Sequence, residues 1–503
     1  IFRKQYDAFG GVSQLKIAGG LNSRPFFIRR HNLRRIADCK FALNPCFFSI
    51  YLLQYASEVI IRMNTRNTLK TNAQGHLEIG GVDAAELAKR LGTPLYVMDE
   101  QYIRDMCSVY RDTLEKEYEG NGLALYASKA FSCMAIYKIV ESEGLGVDVV
   151  SGGELYTALK AGFPAEKIYF HGNNKTYDEL TYALDSNVGT IVVDAYAELD
   201  LLDSLCKERN REQTILLRIN PGVEAHTHRY IQTAKTDSKF GFSVADGSAE
   251  KVAKYALQKE YLRLKGFHCH IGSQIFEKES FALAVAKMLA FMASLKNDCG
   301  FEASVLNLGG GYGIWYTDED KKVSCAGYAE YLRTIIKTLK EKADEYGLRR
   351  PYLLIEPGRS IVGEAGITLY TVGNIKEIPG IRKYVAVDGG MFDNPRYALY
   401  QAKYTAILAN RANERAEEVV SIAGKCCESG DIVCANVSLP KAKSGDILAV
   451  LSTGAYNYSM ASNYNRNRIP PVVLVKDGKA DYIVKPQTYE DLVRNDVIPE
   501  SLR

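Results

Sequence analysis

A polar side chain or a glycine follows each of eight short apolar runs between residues 123 and 359. In chain order these are Lys129, Asp148 with Ser151, His171, Asp194, Asn220, His270, Gly309–Gly311, and Glu356 with Arg359. A lysine amine held among apolar neighbours and other cations loses its proton more readily than one in water, and it can then attack an aldehyde. The set therefore indicates a site built around a Schiff-base amine, and Lys129 is the candidate.

Other members of this set are suited to a flat ring that carries a phosphate. The run Gly309–Gly311 would expose backbone N–H groups, which bind anions in the same way as helix starts do. Glu356, in EPGR, is a carboxylate that can keep a pyridine nitrogen protonated. His270 can stack on such a ring, and Ser273 can reach its phosphate.

The elements that must position these residues alternate regularly. The β-rich runs begin near Leu123, Gly146, Lys167, Thr190, Thr214, Leu264, Ser304 and Tyr352. Segments with helical periodicity lie between them, including Cys133–Glu143, Glu154–Ala161, Phe281–Lys296 and Tyr328–Glu345. This order predicts an α/β fold with a (β/α)8 TIM-type barrel, whose active site lies at the carboxyl ends of the strands. An open doubly wound sheet is the alternative.

The pattern of residue types changes after Arg359. Short β-branched runs separated by Gly, Pro and Asp predict an antiparallel β domain, either a barrel or a sandwich. The earlier run PLYVMD can add an N-terminal strand to it. We therefore predict a barrel over residues 99–360, a C-terminal β domain over 361–503, and residues 63–98 as the N-terminal part of that domain.

Residues 1–62 differ in composition from the rest. They carry ten Lys or Arg and three acids, Asp7, Asp38 and Glu58. Polar residues interrupt the apolar stretch 41–61, so we predict no membrane span. An Arg-rich, acid-poor targeting peptide is one interpretation. The preferred interpretation is upstream sequence ahead of a natural start at Met63, disordered or loosely packed.

Charge and cysteine content exclude several classes of protein. Lys plus Arg number 63 against 60 Asp plus Glu, a net charge of +3, which gives no reason to expect a nucleic acid or an acidic membrane as partner. The eleven cysteines include no C-x-x-C pair, which argues against a disulfide framework or a structural zinc site. We predict a protein of the reducing cytoplasm without a metal.

Eight motifs, taken in order, resemble the diaminopimelate decarboxylase family: YASKA, DVVSGGE, HCHIGSQ, LNLGGGYG, IEPGR, DNPRYALY, CESGD and TGAY. The resemblance covers about residues 63–503. It implies the fold group of alanine racemase and eukaryotic ornithine decarboxylase, with pyridoxal 5′-phosphate as the cofactor. It also implies that Lys129 is the Schiff-base lysine and that Glu356 pairs with the ring nitrogen. The further cofactor contacts that it implies are Asp148, His270, Ser273, Gly310, Gly311, Gly358, Arg359 and Tyr456.

The same resemblance implies a homodimer with an active site shared between subunits. Cys427 and Glu428 of CESGD would come from the neighbouring subunit, and Cys427 would donate the proton that replaces carbon dioxide. Cys426, directly before it, remains a rival for this role. One local departure is that GKCCESGD lacks a proline that commonly stands near the glycine in the family.

The choice of substrate can be argued from charge. Diaminopimelate carries a carboxylate and an ammonium at its non-reacting end, and the planar fork of arginine binds both oxygens of a carboxylate. Arg359 and Arg396, with Tyr400, are the predicted carboxylate side, and Glu428 is the predicted partner of the ammonium. Tyr456 is a further predicted substrate contact. This predicts decarboxylation of meso-2,6-diaminopimelate to L-lysine and CO2, the last step of lysine biosynthesis.

Three other functions are consistent with part of the pattern. A related decarboxylase acting on arginine, ornithine or carboxynorspermidine is the nearest, although the paired arginines argue against the first two substrates. An amino-acid racemase would share Lys129 but would not need CESGD. A non-catalytic regulatory barrel should have lost Lys129 or Cys427, and both are present.

Overall fold

The computed structural model describes residues 69–223 and 238–503, together with the backbone of three short strands near the N-terminus. Those strands, Arg3–Gln5, Ser13–Lys16 and Phe27–Ile28, form an antiparallel sheet. The chain divides into two compact units, residues 1–65 and 66–503. Apart from these strands, the prediction that residues 1–62 are disordered or upstream sequence falls outside the described residues.

Eight parallel strands close into a barrel in the second unit. They are Gly122–Ala127, Gly146–Val149, Ile168–Phe170, Thr190–Val193, Gln213–Asn220, Leu262–His268, Val305–Asn307 and Tyr352–Ile355. The last strand pairs with the first, with Leu353 opposite Gly122, so the sheet has no open edge. The predicted barrel is confirmed, and the doubly wound alternative is wrong. A two-residue strand, Phe242–Ser243, adds to the end of the fifth strand.

Amphipathic helices cover the outside of the barrel. They are Glu100–Tyr118, Met134–Ser142, Gly152–Lys160, Tyr177–Asp185, Tyr196–Glu208, Ser248–Leu257, Lys278–Cys299 and Cys325–Glu345, with a short helix at Arg359–Val362. The predicted helices differ from these by a few residues, because the ends are set by capping groups. Ser151 caps the third of these helices, and Thr176 and Glu179 form a reciprocal capping box on the fourth.

A second sheet flanks the barrel. Strand Leu95–Asp99 lies at its centre, between Gly366–Ile378 and Val472–Lys476, as the PLYVMD run predicts. The other strands are Arg382–Val387, Ala406–Leu408, Glu418–Ala423, Ile432–Leu439, Ile447–Leu451 and Lys479–Val484. Most pairings are antiparallel, as predicted, but two are parallel, so the sheet is mixed.

Smaller elements complete the unit. A three-stranded antiparallel sheet of Leu69–Thr71, Leu77–Ile79 and Val82–Asp83 leads into helix Ala84–Leu91, and two short helices lie at Arg396–Tyr400 and Tyr489–Val493. None of the helices within the described residues is long and apolar enough to cross a membrane.

Gly454 packs closely against the short helix Arg359–Val362, and this contact brings the TGAY motif to the barrel rim. A Cβ on Gly454 would lie 1.9 Å from the carbonyl oxygen of Val362, so no side chain fits there. Two residues later, the N–H of Tyr456 donates to the carbonyl oxygen of Ala130 at 2.8 Å. Tyr456 is thereby held beside the loop that carries Lys129.

Candidate active site

A cavity of about 720 Å³ opens at the carboxyl ends of the barrel strands. Ten of the predicted site residues line it: Lys129, His270, Ser273, Gly311, Glu356, Gly358, Arg359, Arg396, Tyr400 and Tyr456. They come from four barrel loops and from the flanking β domain. Residues far apart in sequence are therefore brought together as the strand-end pattern predicts.

Lys129 lies just beyond the first barrel strand, in the single helical turn Ser128–Ala130. Its Nζ is 3.9 Å from Oδ2 of Asp148, and 42% of its side chain is exposed to the cavity. Burial alone would lower the pKa of the Lys129 amine, but Asp148, Tyr456 and Glu356 outweigh it and raise that pKa above its ordinary value. This direction is opposite to that of an easily deprotonated amine, because the acidic neighbours stabilise the ammonium.

Asp148 is buried at the end of the second barrel strand. Neither of its carboxylate oxygens has a hydrogen-bond partner among the described residues. Burial raises the pKa of this carboxyl group, although His171 and Lys129 act in the opposite direction. A buried carboxylate without donors is costly, so this group is suited to receive a donor from a bound molecule.

Glu356 follows the eighth strand and is surrounded by potential donors. Asn307 Nδ2 donates to its Oε1 at 2.7 Å, and His171 Nε2 lies 2.9 Å from the same oxygen. His268 Nε2 lies 3.4 Å from Oε2. Burial would raise the pKa of Glu356, but the two histidines hold it well below its ordinary value. The carboxyl group is therefore ionised and fixed in direction.

The sequence did not indicate roles for His171, His268 and Asn307. His171 stood at a strand end without an assigned partner, and His268 is two residues before His270. That spacing places both side chains on one face of a strand, which is the signal that was available. The ligand atoms of His171, His268 and Glu356 lie within 4.8 Å of one another, close enough to bind a metal ion.

The glycine run after the seventh strand is packed against its neighbours. A Cβ on Gly310 would lie 2.0 Å from the carbonyl oxygen of Glu356, and one on Gly311 would lie 2.2 Å from that of Gly272. The N–H of Gly310 donates to Nδ1 of His270 at 3.2 Å. Burial lowers the pKa of His270 well below its ordinary value, so its ring is neutral. The neutral His270 ring, Ser273 and Gly311 therefore line the same cavity.

The two predicted substrate arginines also meet at this cavity. Arg359 Nη2 donates to Ser273 Oγ at 2.9 Å, and its guanidinium carbon lies 4.5 Å from the centre of the Tyr456 ring. Arg396 is buried rather than part of a surface ion pair. Tyr316, which sequence reasoning did not single out, lies between the two arginines and lines the cavity.

Arg218 is another residue that sequence reasoning missed. It lies within the fifth barrel strand, lines the cavity, and has its guanidinium carbon 4.2 Å from the centre of the Phe240 ring. A cation in the middle of the apolar run TILLRIN was the available signal. Asp194 lies nearby and accepts a hydrogen bond from the N–H of Gly241 at 2.5 Å.

Cys427 and Glu428 lie on the surface, outside the lining of this cavity. Asp431 fixes their loop, because it accepts hydrogen bonds from the N–H groups of Cys426 at 2.7 Å and Met391 at 2.6 Å. Burial, reinforced by Asp431, raises the pKa of the Cys426 thiol to about 12. The Cys426 thiol is thus a poor proton donor near neutral pH.

Known proteins resemble the chain over most of its length. A family model described as the pyridoxal binding domain of pyridoxal-dependent decarboxylases matches residues 103–363. Diaminopimelate decarboxylase of Bacillus subtilis (strain 168) is 53% identical over 438 residues, which are 86% of this chain and 98% of that protein.

Solved structures agree with the sequence relatives. Diaminopimelate decarboxylase from M. jannaschii in complex with L-lysine is 38% identical with a TM-score of 0.80, and the match covers 87% of this chain and all of that one. The Helicobacter pylori enzyme complexed with L-lysine is 30% identical with a TM-score of 0.73, covering 81% of this chain and 98% of that one. Fold, motif order and identity thus agree, and the chain belongs to the diaminopimelate decarboxylase family of pyridoxal-dependent decarboxylases.

Proposed function

We propose that this protein is a pyridoxal 5′-phosphate-dependent carboxy-lyase that converts meso-2,6-diaminopimelate to L-lysine and CO2, the last step of lysine biosynthesis. One observation carries the proposal: Lys129, the ionised Glu356 and a pair of arginines face a single cavity. The 53% identity to a diaminopimelate decarboxylase over 98% of its length supports the same substrate.

The residues of the cavity fit this cofactor. Behind the cavity lining, Asp148 lies 3.9 Å from the Lys129 amine and offers buried carboxylate oxygens that have no hydrogen-bond donor within the described residues. The glycine run packs directly against the backbone of Glu356 and Gly272, where a side chain would clash, and Ser273 and Gly311 both line the cavity. We assign Lys129 as the amine that holds the cofactor, with Ser273, Gly310, Gly311 and Tyr456 around its phosphate. Gly358 and Arg359 complete the cofactor contacts.

When bound, pyridoxal phosphate supplies an aldehyde for the substrate amine and a protonated ring that accepts the electrons released with CO2. Glu356 keeps the proton on the ring nitrogen, because its own pKa is held low by His171 and His268. His270 offers a neutral ring for stacking. Lys129 would hold the cofactor through its amine between turnovers.

The remaining residues of the site are assigned to the non-reacting end of the substrate. Arg359 and Arg396 supply two cations for its carboxylate, and Tyr400, at the edge of the cavity, supplies a hydroxyl. An arginine fork can bind both carboxylate oxygens, which a single ammonium cannot do with the same geometry. A substrate without this carboxylate would leave both cations unpaired.

We further propose a homodimer in which Cys427 and Glu428 complete the site of the partner subunit. Their exposure, and their absence from the lining of their own chain's cavity, support this. The C–C bond to the departing carboxylate breaks, and the thiol proton of Cys427 takes its place on carbon. Glu428 meets the substrate ammonium. The nine cysteines within the described residues are free thiols, which supports a reducing compartment, the cytoplasm.

The test is a turnover assay on the purified protein supplied with pyridoxal phosphate. We expect lysine and CO2 in equal amounts from meso-diaminopimelate. Ornithine and arginine are matched controls, since they present a cation but no distal carboxylate, and we expect no turnover of either. Turnover of carboxynorspermidine or a basic amino acid, with none of diaminopimelate, would contradict the proposed substrate.

A further inference from the structure

Two arginines of the cavity converge on one phenol. Arg359 Nη1 donates to Tyr316 Oη at 2.5 Å, and Arg396 Nη1 donates to the same oxygen at 3.1 Å. The three side chains are almost fully buried. No other hydrogen bond of the Tyr316 hydroxyl is seen within the described part of the chain, so this group serves the two arginines.

This arrangement counters an electrostatic cost. Two buried guanidinium groups repel each other, and in a medium of low dielectric constant the repulsion is strong. A phenol oxygen between them accepts one hydrogen bond from each. Burial would raise the pKa of Tyr316, but Arg359 and Arg396 lower it below its ordinary value, as expected for an oxygen that carries part of a negative charge.

Tyr316 is itself fixed from both domains. Its carbonyl oxygen accepts from Thr405 Oγ1 at 2.8 Å, and its N–H donates to Asp320 Oδ2 at 3.0 Å. On the far side of the pair, Arg396 Nη1 also donates to Tyr404 Oη at 2.6 Å. These bonds hold the backbone of Tyr316 in place, and its phenol oxygen therefore determines the positions of the two guanidinium groups that donate to it.

The arginines keep donors free for a ligand. Each guanidinium has five N–H groups. Arg359 uses one on Tyr316 and one on Ser273, while its Nε is buried and has no hydrogen-bond partner among the described residues. Two fixed cations with spare donors, lining one cavity, form a receptor for a planar anion such as a carboxylate.

We propose that Tyr316 is a positioning residue that sets the spacing of Arg359 and Arg396, and so makes the site select ligands with a carboxylate at the non-reacting end. The inference rests on the proposed function, which assigns these arginines to that carboxylate. Without the hydroxyl, the two cations would move apart and the site would lose its preference for the carboxylate.

The test compares L-lysine, which retains the distal carboxylate, with cadaverine, which lacks it. Both would be titrated calorimetrically into the holoenzyme of the wild type and of Tyr316→Phe. We expect Tyr316→Phe to weaken lysine binding about tenfold, with cadaverine binding and the visible absorbance of the bound cofactor unchanged. In turnover, KM for diaminopimelate should rise about as much, with kcat within roughly threefold.

Two further variants make the outcome decisive. Tyr118→Phe is the matched control, because it removes another buried tyrosine hydroxyl, which donates to the carbonyl oxygen of Pro351 at 2.8 Å and lies away from the cavity lining. This variant should bind both lysine and cadaverine as tightly as the wild type does. An equal loss for lysine and cadaverine in Tyr316→Phe, or no loss for either, would overturn the inference. If Arg396→Ala loses lysine affinity while Tyr316→Phe does not, the positioning role of Tyr316 is wrong and the proposed function stands. If Arg396→Ala also leaves lysine binding unchanged, the substrate assignment itself fails.

Discussion

The cavity and the loop of residues 424–431 carry the two halves of the proposed chemistry in opposite surroundings. In the cavity, Glu356 is buried, with Asn307, His171 and His268 around its oxygens. In the loop, the Cys427 side chain is exposed, and its N–H donates to Asn465 Oδ1 at 2.8 Å. The charged groups of the cavity are thus brought together by the folding of one chain, whereas the proposed proton donor, Cys427, is exposed on the surface.

This difference separates what a mutation in each region should do. A change in the cavity should alter the bound cofactor and its spectrum. A change in the loop should alter turnover and leave the spectrum intact. The variants below are ordered by expected effect.

Lys129→Ala should have the largest effect. We expect loss of the visible absorbance of the lysine-bound cofactor and a fall in kcat on the order of 10⁴-fold, the upper range for a lost acid–base group. Lys138→Ala is the matched control, since Lys138 lies nine positions on, is exposed and pairs with Glu141. Activity retained in Lys129→Ala would remove the lysine from the mechanism.

Cys427→Ala should lower kcat by about 10²- to 10³-fold, the usual contribution of a positioned acid. The affinity for pyridoxal phosphate and the absorbance spectrum should match the wild type, because Cys427 is not among the residues assigned to hold the cofactor. Stopped-flow absorbance with steady-state turnover measures both. Normal turnover would assign the proton to another donor.

His171→Phe should have an intermediate effect within the cavity. The histidines depress the pKa of Glu356, so removal of His171 raises that pKa, and a higher pH is needed to ionise the carboxyl group. We expect about a tenfold fall in kcat and an acid limb of the kcat–pH profile shifted to higher pH. His76→Phe is the control, because His76 pairs with Asp83 in the three-stranded sheet of residues 69–83, away from the cavity lining. An unshifted acid limb would mean that His171 does not tune Glu356.

Cys426→Ala should have the smallest effect. With a thiol pKa of about 12, Cys426 stays protonated and donates poorly near neutral pH. We expect kcat within about twofold of the wild type, since a general acid works best when its pKa is near the working pH. A fall as large as that of Cys427→Ala would transfer the role to Cys426.

The sequence predicted the barrel and the residues at its rim because both depend on local pattern. Apolar runs give the strands, and the residue after each run must reach the rim of a closed barrel. The partners of Glu356 were not predictable in this way, because the closing register of the sheet decides which side chains of separate strands meet. The raised pKa of Lys129 has the same origin, since Asp148 and Glu356 reach it only in the folded barrel.

Other features depended on packing between sheets. The two parallel pairings of the β domain join strands that are not consecutive in the chain, which local alternation does not reveal. Tyr316 appeared in the sequence as one aromatic in GYGIWY, without a sign that Arg359 and Arg396 would both bind its hydroxyl. The roles assigned to Cys427 and Glu428 remain predictions from the family resemblance.

The most direct test of the division between cavity and loop mixes two inactive variants. Lys129→Ala and Cys427→Ala subunits would be co-refolded or co-expressed in equal amounts, and lysine production would be measured. If Cys427 acts across a two-fold dimer, each mixed dimer holds one intact site, and random pairing restores about a quarter of wild-type activity. If activity stays at the level of the separate variants while mixed dimers are present, the thiol does not serve the partner subunit and the account is contradicted.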